Sequence, residues 1–311
     1  MDLSVILVSY NTRELTLTAL ASLREQTVRT DFETIVLDNA STDGSADAIA
    51  LAEPGVKLIR SEENLGFAQG NNEAAKRATG KLLLLLNPDT VVLDSAVDRL
   101  VEFADAHPER RIWGGRTLFG DESLNPASCH GKITLWSLMS QALGLSSVFR
   151  ESGLFNPEGL GGWDRGTERE VDIVSGCFFL IDRKLWDQLG GFDRLFFMYG
   201  EEADLCHRAR TLGAKPTITP DATIVHYGGA SERVREDKLV RLLKAKTDLI
   251  RRHLRPFPRL GVGLLTLWPL TRALAWTLLA PLKGERGRES ASAWRSVFSR
   301  RREWMERRDA A

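Results

Sequence analysis

A run of five leucines, Leu82–Leu86, followed by Asn87-Pro88-Asp89, limits the possible folds of this chain more than any other feature. A strand made only of large apolar residues must be buried on both faces, which is typical of the centre of a mostly parallel sheet. Pro88 has no N–H group to continue the ladder, so the strand ends there. Because ligands of open α/β sheets bind at this carboxyl edge, Asp89 is predicted either to bind a cation or to cap a turn.

Strands and helices alternate through the first half of the chain, which is the pattern of right-handed βαβ units. The predicted pairs of strand and following helix are Leu3–Val8 with Arg13–Gln26, Glu33–Leu37 with Ser45–Leu51, Val56–Ile59 with Gly66–Ala78, and Lys81–Leu86 with Asp94–Ala106. The second half is predicted to contain a long strand at Val171–Ile181, a helix at Glu201–Leu212, short strands at Lys215–Thr219 and Thr223–Val225, and a helix from about Glu232 to His253. We therefore expect an α/β fold with a mostly parallel central sheet flanked by helices.

Charge divides the 311-residue chain into two parts, although its formal net charge is zero. Residues 232–311 hold 20 Lys and Arg against 9 Asp and Glu, whereas residues 1–231 hold 22 against 33. This asymmetry predicts an acidic catalytic domain over residues 1–231 and a basic helical extension over residues 232–311. An acidic catalytic domain argues against nucleic acid as a substrate.

The cysteines and the first residues both favour a cytoplasmic protein. Cys129, Cys177 and Cys206 are widely spaced and show neither a zinc-site spacing nor a disulfide framework, which favours a reducing compartment. The N-terminal residues have no basic region before the first apolar run, so they are predicted to form a strand rather than a signal peptide.

Polar residues follow other predicted strands as well as the leucine strand. Tyr10 follows the first strand and Asp38 ends the second. Parallel strands bring their carboxyl ends to one edge, so the Tyr10 ring and the Asp38 carboxylate could contact a nucleobase there, or else be rim and turn residues. The loop Asn64–Asn72 follows the third strand and opens a helix, whose N-terminus favours a diphosphate. This loop is neither a Walker loop nor a dinucleotide fingerprint.

Two motifs in the second half contain chemically useful residues. Glu201, Glu202 and Asp204 follow an aromatic run, and acids packed beside aromatic rings have the raised pKa that a general base requires. The alternative is that these acids only complement the dipole at a helix N-terminus. His226 ends a predicted strand, where it is either a buried core residue or a co-ligand of Asp89.

Together these motifs resemble those of family 2 glycosyltransferases, in the same order and over about residues 1–250. The motifs are Val8-Ser9-Tyr10-Asn11, Asp38 with Asp43-Gly44-Ser45, Asn64-Leu65-Gly66-Phe67, Asn87-Pro88-Asp89, the Glu201–Asp204 cluster and His226-x-x-Gly229-x-Ser231. The chain looks most like the rhamnosyltransferase-like branch that builds bacterial surface polysaccharides. This resemblance implies a GT-A fold and inverting transfer of a sugar from a dTDP- or UDP-linked donor to a glycan or lipid-linked acceptor.

The resemblance also implies roles for single residues. Asp89 resembles the metal-binding carboxylate of the D-x-D motif, His226 a further metal or diphosphate ligand, and Glu202 the catalytic base. The expected donor-binding residues are Ser9, Tyr10, Asp38, Asn64, Gly66, Asn71 and Asn87, and the expected acceptor-side residues are Asp204, Gly176 and Trp163.

Two departures from the family pattern bear on this chemistry. Asn87 replaces the first acid of D-x-D, so a cation, Mg²⁺ or Mn²⁺, would be held with one charge fewer. Relatives often carry Asp where this chain has Glu201-Glu202, which leaves open which of the two is the base.

Two other classes of protein fit the sequence less well. A nucleotidyltransferase would show a Gly-rich basic loop after the first strand, whereas residues 10–14 here contain no glycine. A non-enzymatic binding module would not need three carboxylates beside an aromatic run.

The basic extension contains an apolar segment, Leu260–Leu282, whose only charged residue is Arg272 and whose helix is predicted to break at Pro269. Trp268, Trp276 and the basic flanks are typical of a segment lying in the plane of an anionic membrane, here at the inner face of the cytoplasmic membrane. The alternatives are packing on the catalytic domain, homodimerisation or a true membrane span. The central arginine argues against the membrane span.

Overall fold

The computed structural model describes residues 1–228 and 235–307, so Gly229 and Ser231 of the predicted motif lie outside the described residues. The chain forms two compact units, of which the first comprises Met1–His130 and Asp164–Ser231 and the second Gly131–Trp163 and Glu232–Ala311. The predicted division at residue 231 thus omitted one segment. Residues 131–163 belong with the C-terminal residues because Leu138 packs in the same buried apolar cluster as Leu243 and Val297.

The structure contains the following strands and helices. The strands are β1 Leu3–Ser9, β2 Phe32–Asp38, β3 Lys57–Arg60, β4 Leu82–Leu86, β5 Thr90–Val92, β6 Ile112–Leu118, β7 Leu124–Asn125, β8 Cys129–His130, β9 Arg169–Glu170, β10 Ile173–Val174, β11 Phe178–Asp182 and β12 Thr217–His226. The helices are α1 Arg13–Gln26, α2 Ser45–Ala52, α3 Gly66–Ala75, α4 Ala96–Ala106, α5 Leu135–Ala142, α6 Leu145–Val148, α7 Arg183–Leu189, α8 Glu201–Thr211, α9 Arg235–His253, α10 Pro258–Ser299 and α11 Arg301–Met305.

The main sheet has a parallel half and a mixed half, in the order β3-β2-β1-β4-β11-β6-β12-β5. The first four strands run parallel, as the alternating sequence predicted. Strand β11 then runs antiparallel between β4 and β6, and β12 runs parallel to β6 but antiparallel to β5. The sheet is therefore mixed rather than mostly parallel.

The leucine strand β4 lies at the centre of the sheet, between β1 and β11. Its last four leucines are no more than 2% exposed. Side chains of β1 and β4 form one apolar cluster with the buried faces of α1 and α4. Burial on both faces fixes the strand at the centre of the sheet, and because β4 ends at Leu86, Asn87 and Asp89 lie at the edge of the sheet.

Two strand predictions in the second half are wrong. The predicted strand Val171–Ile181 is two strands, because β10 pairs with β8 in a separate small sheet while β11 joins the main sheet. The predicted short strands at 215–219 and 223–225 are one strand, β12, whose register against β6 shifts between Thr219 and Thr223. Both errors arise from partner choice, which local sequence does not specify.

The second unit is helical and has its own apolar cluster. Buried side chains of α5, α9, α10 and α11 form it, including Leu265 and Trp304, which are fully buried. The predicted break at Pro269 is wrong, since α10 runs through Pro269 and the non-helical residue is Gly284 (φ 60°, ψ −137°). Pro269 is buried, and tertiary packing of α10 outweighs the local preference for a break.

Candidate active site

The predicted site residues of the parallel half meet at one edge of the sheet. Ser9 and Asp38 are opposite each other in the parallel pairing of β1 and β2. The segment Asn87–Asp89 follows β4, which pairs with the other side of β1. His226 reaches the same place from β12, because it pairs with Thr90 of β5 and the next backbone N–H donates to the Asp89 carbonyl at 3.0 Å.

Asn87, Asp89 and His226 converge there. The His226 Nε2 atom lies 3.3 Å from Asp89 Oδ1 and 3.4 Å from Asn87 Nδ2. Burial lowers the pKa of His226, but neighbouring Cys177 and Asp89 outweigh it and raise that pKa to about 10. The side chains of His226 and Asp89 are 14% and 10% exposed, so the pair is largely shielded from solvent.

These three residues fit a divalent cation, although they cannot surround one. The Asn87 Oδ1 atom is buried without a hydrogen-bond partner among the described residues, so an oxygen lone pair is available beside the Asp89 carboxylate. Carboxylate and amide oxygens suit Mg²⁺ and Mn²⁺. His226 would bind Mn²⁺ only after releasing the proton that its raised pKa retains at neutral pH, because only a neutral imidazole is a ligand. No group of three or more His, Cys, Asp or Glu residues that could hold a metal occurs among residues 1–228 and 235–307. The remaining ligands would have to come from water or from donor oxygens.

Asp38 and Tyr10 are available for a ligand at the other end of this edge. One Asp38 carboxylate oxygen accepts the Ser41 N–H at 3.1 Å, whereas the other is buried and has no hydrogen-bond partner in the part of the chain that the structure describes. Such an acceptor suits a ring N–H of a nucleobase. Tyr10 is 36% exposed at the rim, where its ring is accessible.

Two predicted donor-binding residues are directed into the protein instead. The Ser9 hydroxyl is fully buried and hydrogen-bonds the hydroxyls of Thr12 and Thr16. The Asn71 side chain is 1% exposed and donates to the Phe67 carbonyl within its own helix. Both contacts are structural, and neither supports a direct donor contact.

The loop before α3 is held tightly in place. Asn64 Oδ1 accepts both the Gly66 N–H and the side-chain amide of Asn39. Gly66 has φ +76°, and a Cβ atom there would lie 2.4 Å from the Phe197 carbonyl oxygen. Only glycine therefore fits, and the Phe67 N–H donates to the same carbonyl at 2.8 Å. This contact joins the donor-side loop to the segment that precedes the acidic cluster.

Glu201 and Glu202 begin α8 and form a buried acid pair. Glu201 is 4% exposed and Glu202 is partly exposed. Burial raises the pKa of both carboxyl groups, and the Glu202 charge raises the pKa of Glu201 further. In each carboxyl group, the Oε2 atom has no hydrogen-bond partner within residues 1–228 and 235–307. Partial exposure favours Glu202 as the residue that an acceptor hydroxyl reaches.

The Gly176–Cys177 segment links this acid to the candidate cation site. The Asn87 N–H donates to the Cys177 carbonyl at 3.1 Å. A Cβ atom on Gly176 would lie 3.9 Å from the Glu202 Cβ and 3.3 Å from the Phe67 ring. The absence of a side chain at Gly176 therefore leaves space beside Glu202.

The other predicted acceptor-side residues have different surroundings. Asp204 is fully buried, and its carboxylate accepts from Arg208 Nε at 2.7 Å. Arg208 in turn donates to the carbonyls of Leu189 and Gly191. Asp204 thus fixes the start of the loop before α8 rather than facing a ligand. Trp163 lies in the second unit and so outside the unit that forms this site.

Sequence reasoning missed three residues that shape the site: Asn39, Asn72 and Arg208. The Asn72 side chain donates to the Phe192 carbonyl at 2.8 Å and accepts the Phe192 N–H at 2.9 Å. The spacing of four residues between Asp204 and Arg208 on a predicted helix was a usable signal for their ion pair. Nothing local predicts the contacts of Asn39 and Asn72, because their partners are far away in the sequence.

A sheet edge that combines a candidate cation site, an open polar acceptor and a buried acid pair fits an enzyme's active site. The model of the family described as Glycosyl transferase family 2 matches residues 4–189, which is more than half of the chain. The chain therefore belongs to glycosyl transferase family 2, and the protein is a glycosyltransferase, as the resemblance predicted.

Curated relatives agree with the rhamnosyltransferase-like assignment. The chain is 26% identical over 226 residues to N-acetylglucosaminyl-diphospho-decaprenol L-rhamnosyltransferase of Mycobacterium tuberculosis, covering 67% of this chain and 70% of that protein. It is 25% identical over 180 residues to rhamnosyltransferase WbbL of Escherichia coli, covering 54% and 63%. It is also 29% identical over 238 residues to O-antigen biosynthesis protein RfbC of Myxococcus xanthus, covering 73% of this chain but only 17% of that protein.

Solved structures share the fold. The mannosyltransferase PcManGT of Pyrobaculum calidifontis, in complex with GDP-Man and Mn²⁺, matches with a TM-score of 0.59 at 18% identity, covering 96% of this chain and 85% of that one. Residues 1–349 of Staphylococcus aureus TarS, in complex with UDP-GlcNAc, match with a TM-score of 0.53 at 17% identity, covering 99% and 93%. The fold is therefore the predicted GT-A fold, a mixed α/β sheet with flanking helices and a C-terminal helix.

Proposed function

We propose that this glycosyltransferase transfers rhamnose, with inversion, from a dTDP- or UDP-linked donor to a glycan or lipid-linked acceptor in the synthesis of a cell-surface polysaccharide. The observation that carries the proposal is the convergence of Asn87, Asp89 and His226 at the sheet edge, with Glu202 across Gly176 from them. The relatives named as rhamnosyltransferases support the choice of sugar, and the decaprenol in the name of one of them supports a lipid-linked acceptor.

Each residue has a part in the proposed reaction. Asp38 accepts a ring N–H of the base, and Tyr10 stacks on it. Asn87, Asp89 and a deprotonated His226 would hold a divalent cation, Mg²⁺ or Mn²⁺, which would neutralise the charge of the leaving diphosphate. Glu202 accepts the proton of the acceptor hydroxyl as that oxygen attacks the anomeric carbon from the face opposite the leaving group. Glu201 is the alternative base, and its deeper burial makes it the second choice.

Solved relatives of the same fold with bound Mn²⁺ support the cation, and the relatives' biosynthetic roles support a cytoplasmic site of action, where nucleotide sugars are available. Homodimerisation of the enzyme stays a prediction. Residues 1–231 act as the catalytic part and residues 232–311 as an extension in this proposal, with residues 131–163 added to the extension.

The experiment is a donor panel assayed with the full-length enzyme. Release of nucleoside diphosphate is measured from dTDP-rhamnose, UDP-rhamnose, UDP-N-acetylglucosamine and GDP-mannose, each with Mg²⁺, Mn²⁺ or EDTA, and then with a polyprenyl-diphosphate-linked sugar as acceptor. Faster turnover of a rhamnose donor, increased by the acceptor and lost in EDTA, is expected. Preference for another sugar refutes the donor assignment, and undiminished turnover in EDTA refutes the role of the cation.

A further inference from the structure

The second unit presents an apolar surface that its own cluster does not use. Most of the exposed large apolar side chains of the described residues lie in this unit, although it is the smaller of the two. By length and composition alone, α10 would be able to cross a membrane. Only 22% of its most apolar 18-residue stretch is buried within the protein, so most of that stretch is at least partly exposed. Large exposed apolar patches mark interaction surfaces.

The two sides of α10 differ in what they contact. Val262 and Leu265 are buried in the cluster that also contains residues of α5 and α9, and Pro269 on the same side is buried as well. On the opposite side, Leu260, Leu267 and Leu274 repeat every seven residues, which is about two helical turns. Leu278 and Leu282 continue that side and are 79% and 82% exposed. We call these five leucines the outer leucine row.

The single charge within the segment does not belong to this row. Arg272 lies seven residues after the fully buried Leu265 and therefore on the inner side of α10. Its guanidinium donates to the Ser147 hydroxyl, in the same unit. The central arginine, which argued against a membrane span, thus leaves the outer side of the helix free of charge.

A neighbouring segment extends the apolar surface. The Thr271 hydroxyl donates to the Ala142 carbonyl at 2.7 Å, which fixes the end of α5 beside α10. The residues that follow this contact, Leu143 and Val148, are 65% and 74% exposed. The surface is therefore broader than one helix.

The ends of the outer leucine row are basic. No acidic residue occurs between Asp248 and Glu285, a stretch that contains six Lys and Arg residues. Arg255 and Arg259 at one end of the row and Lys283 at the other are exposed. Leucines with basic residues at both ends are typical of a helix that lies in the plane of an anionic lipid surface.

We propose that the outer leucine row docks in the headgroup region of an anionic bilayer, with α10 parallel to the membrane plane. A spanning helix would have to leave its cluster and place Arg272 in lipid, which is costly. A second copy fits less well, because any pairing of two rows end to end or side by side brings basic ends together. The proposal needs no assumption about the donor or the acceptor.

The test is co-sedimentation of the full-length protein with vesicles of phosphatidylcholine, with and without phosphatidylglycerol, at low and high salt. The wild type is expected to sediment with the anionic vesicles at low salt and to be released at high salt. Leu274→Gln/Leu278→Gln should weaken partitioning at least about tenfold through lost apolar burial. Arg255→Gln/Arg259→Gln should weaken it about fivefold for each charge removed.

The matched control is Leu51→Gln/Leu212→Gln, which changes two leucines of the first unit that are 87% and 41% exposed. This control should sediment like the wild type, and all variants should keep the wild-type Tm and rate of donor hydrolysis. The proposal is overturned if the wild type ignores anionic vesicles, or if the Leu274/Leu278 variant still sediments. It is also overturned if that variant only converts a dimer to a monomer in light scattering, since the row would then bind a second copy.

Discussion

At the residue scale, the two adjacent acids Glu201 and Glu202 have separable roles. Glu202→Gln is expected to lower kcat by about 10²–10⁴-fold with little change in donor affinity, because only the proton acceptor is lost. The wild-type rate should fall as the pH drops through the raised pKa of Glu202, and the variant should lose this dependence. Stopped-time transfer assays and donor titrations measure both quantities. If Glu202→Gln loses donor affinity and keeps its rate, Glu202 is a binding residue.

The effect of Glu201 is expected in the pH dependence of the protein's stability. Its pKa is raised in the fold by burial and by the Glu202 charge, so the folded state binds its proton more tightly than the unfolded chain does. Wild-type stability is therefore lost as the pH rises from the ordinary value of 4.5 through the raised one. Glu201→Gln is neutral at every pH, so it should raise the Tm at neutral and alkaline pH but not in acid. Thermal unfolding across the pH range measures this; an equal change at all pH values would contradict it.

Asp89 is expected to hold the cation. Asp89→Asn keeps the size of the side chain and removes its charge, so it should abolish transfer and weaken Mn²⁺ binding while the fold stays intact. Calorimetric titration of Mn²⁺ and circular dichroism are the measurements. Asp47→Asn is the control, since Asp47 is an exposed acid paired with Arg60 on the same half of the sheet. Near-normal turnover of Asp89→Asn in EDTA would contradict the assignment.

At the element scale, Asn72 of α3 holds the loop that contains Phe192 and leads to Glu202, the proposed base. Its amide makes two hydrogen bonds to the Phe192 backbone, so it acts on Glu202 only through the loop. Asn72→Ala is expected to lower kcat by about tenfold to 100-fold, because displacement of a catalytic group is costly, with donor KM nearly unchanged. Asn72→Asp, which cannot donate to the carbonyl, should not rescue it.

The matched control for Asn72 is Gln69→Ala on the same helix, since the Gln69 side chain donates to the neighbouring Glu73 side chain rather than to the Phe192 loop. Steady-state kinetics separates kcat from KM for each variant. Equal decreases in kcat in both variants would show that α3 matters for general stability. A change confined to the donor KM would show that α3 matters for donor binding. Either result would mean that Asn72 does not position the base.

The success of sequence reasoning differed from element to element for physical reasons. The leucine strand and the proline that ends it located Asn87 and Asp89 correctly, because burial on both faces and a missing N–H are local properties. The directions of Ser9 and Asn71 were missed, since the hydroxyls and carbonyls that attract their side chains are visible only after folding. The split of the strand at 171–181 depended on β8, a partner about 40 residues earlier.

At the scale of the whole molecule, the sheet cluster and the helical cluster share no residue among those the structure describes. One cluster supports the sheet whose edge forms the candidate active site, and the other supports the helices that present the outer leucine row. The charge of the sequence differs between the two parts as well, with acidic residues in excess over residues 1–231 and basic residues in excess over residues 232–311. A change in one cluster should therefore affect one activity more than the other.

Two buried tryptophans allow this division to be tested as a matched pair. Trp304 is fully buried in the helical cluster and Trp113 is 2% exposed in the sheet cluster. Replacing either with alanine leaves a large cavity and should cost about 3–5 kcal/mol. Trp304→Ala is expected to reduce vesicle binding and keep nucleotide affinity, whereas Trp113→Ala should lose nucleotide affinity. Nucleotide titration and vesicle co-sedimentation of both full-length variants measure this. Loss of both activities in both variants would mean that the two units unfold as one.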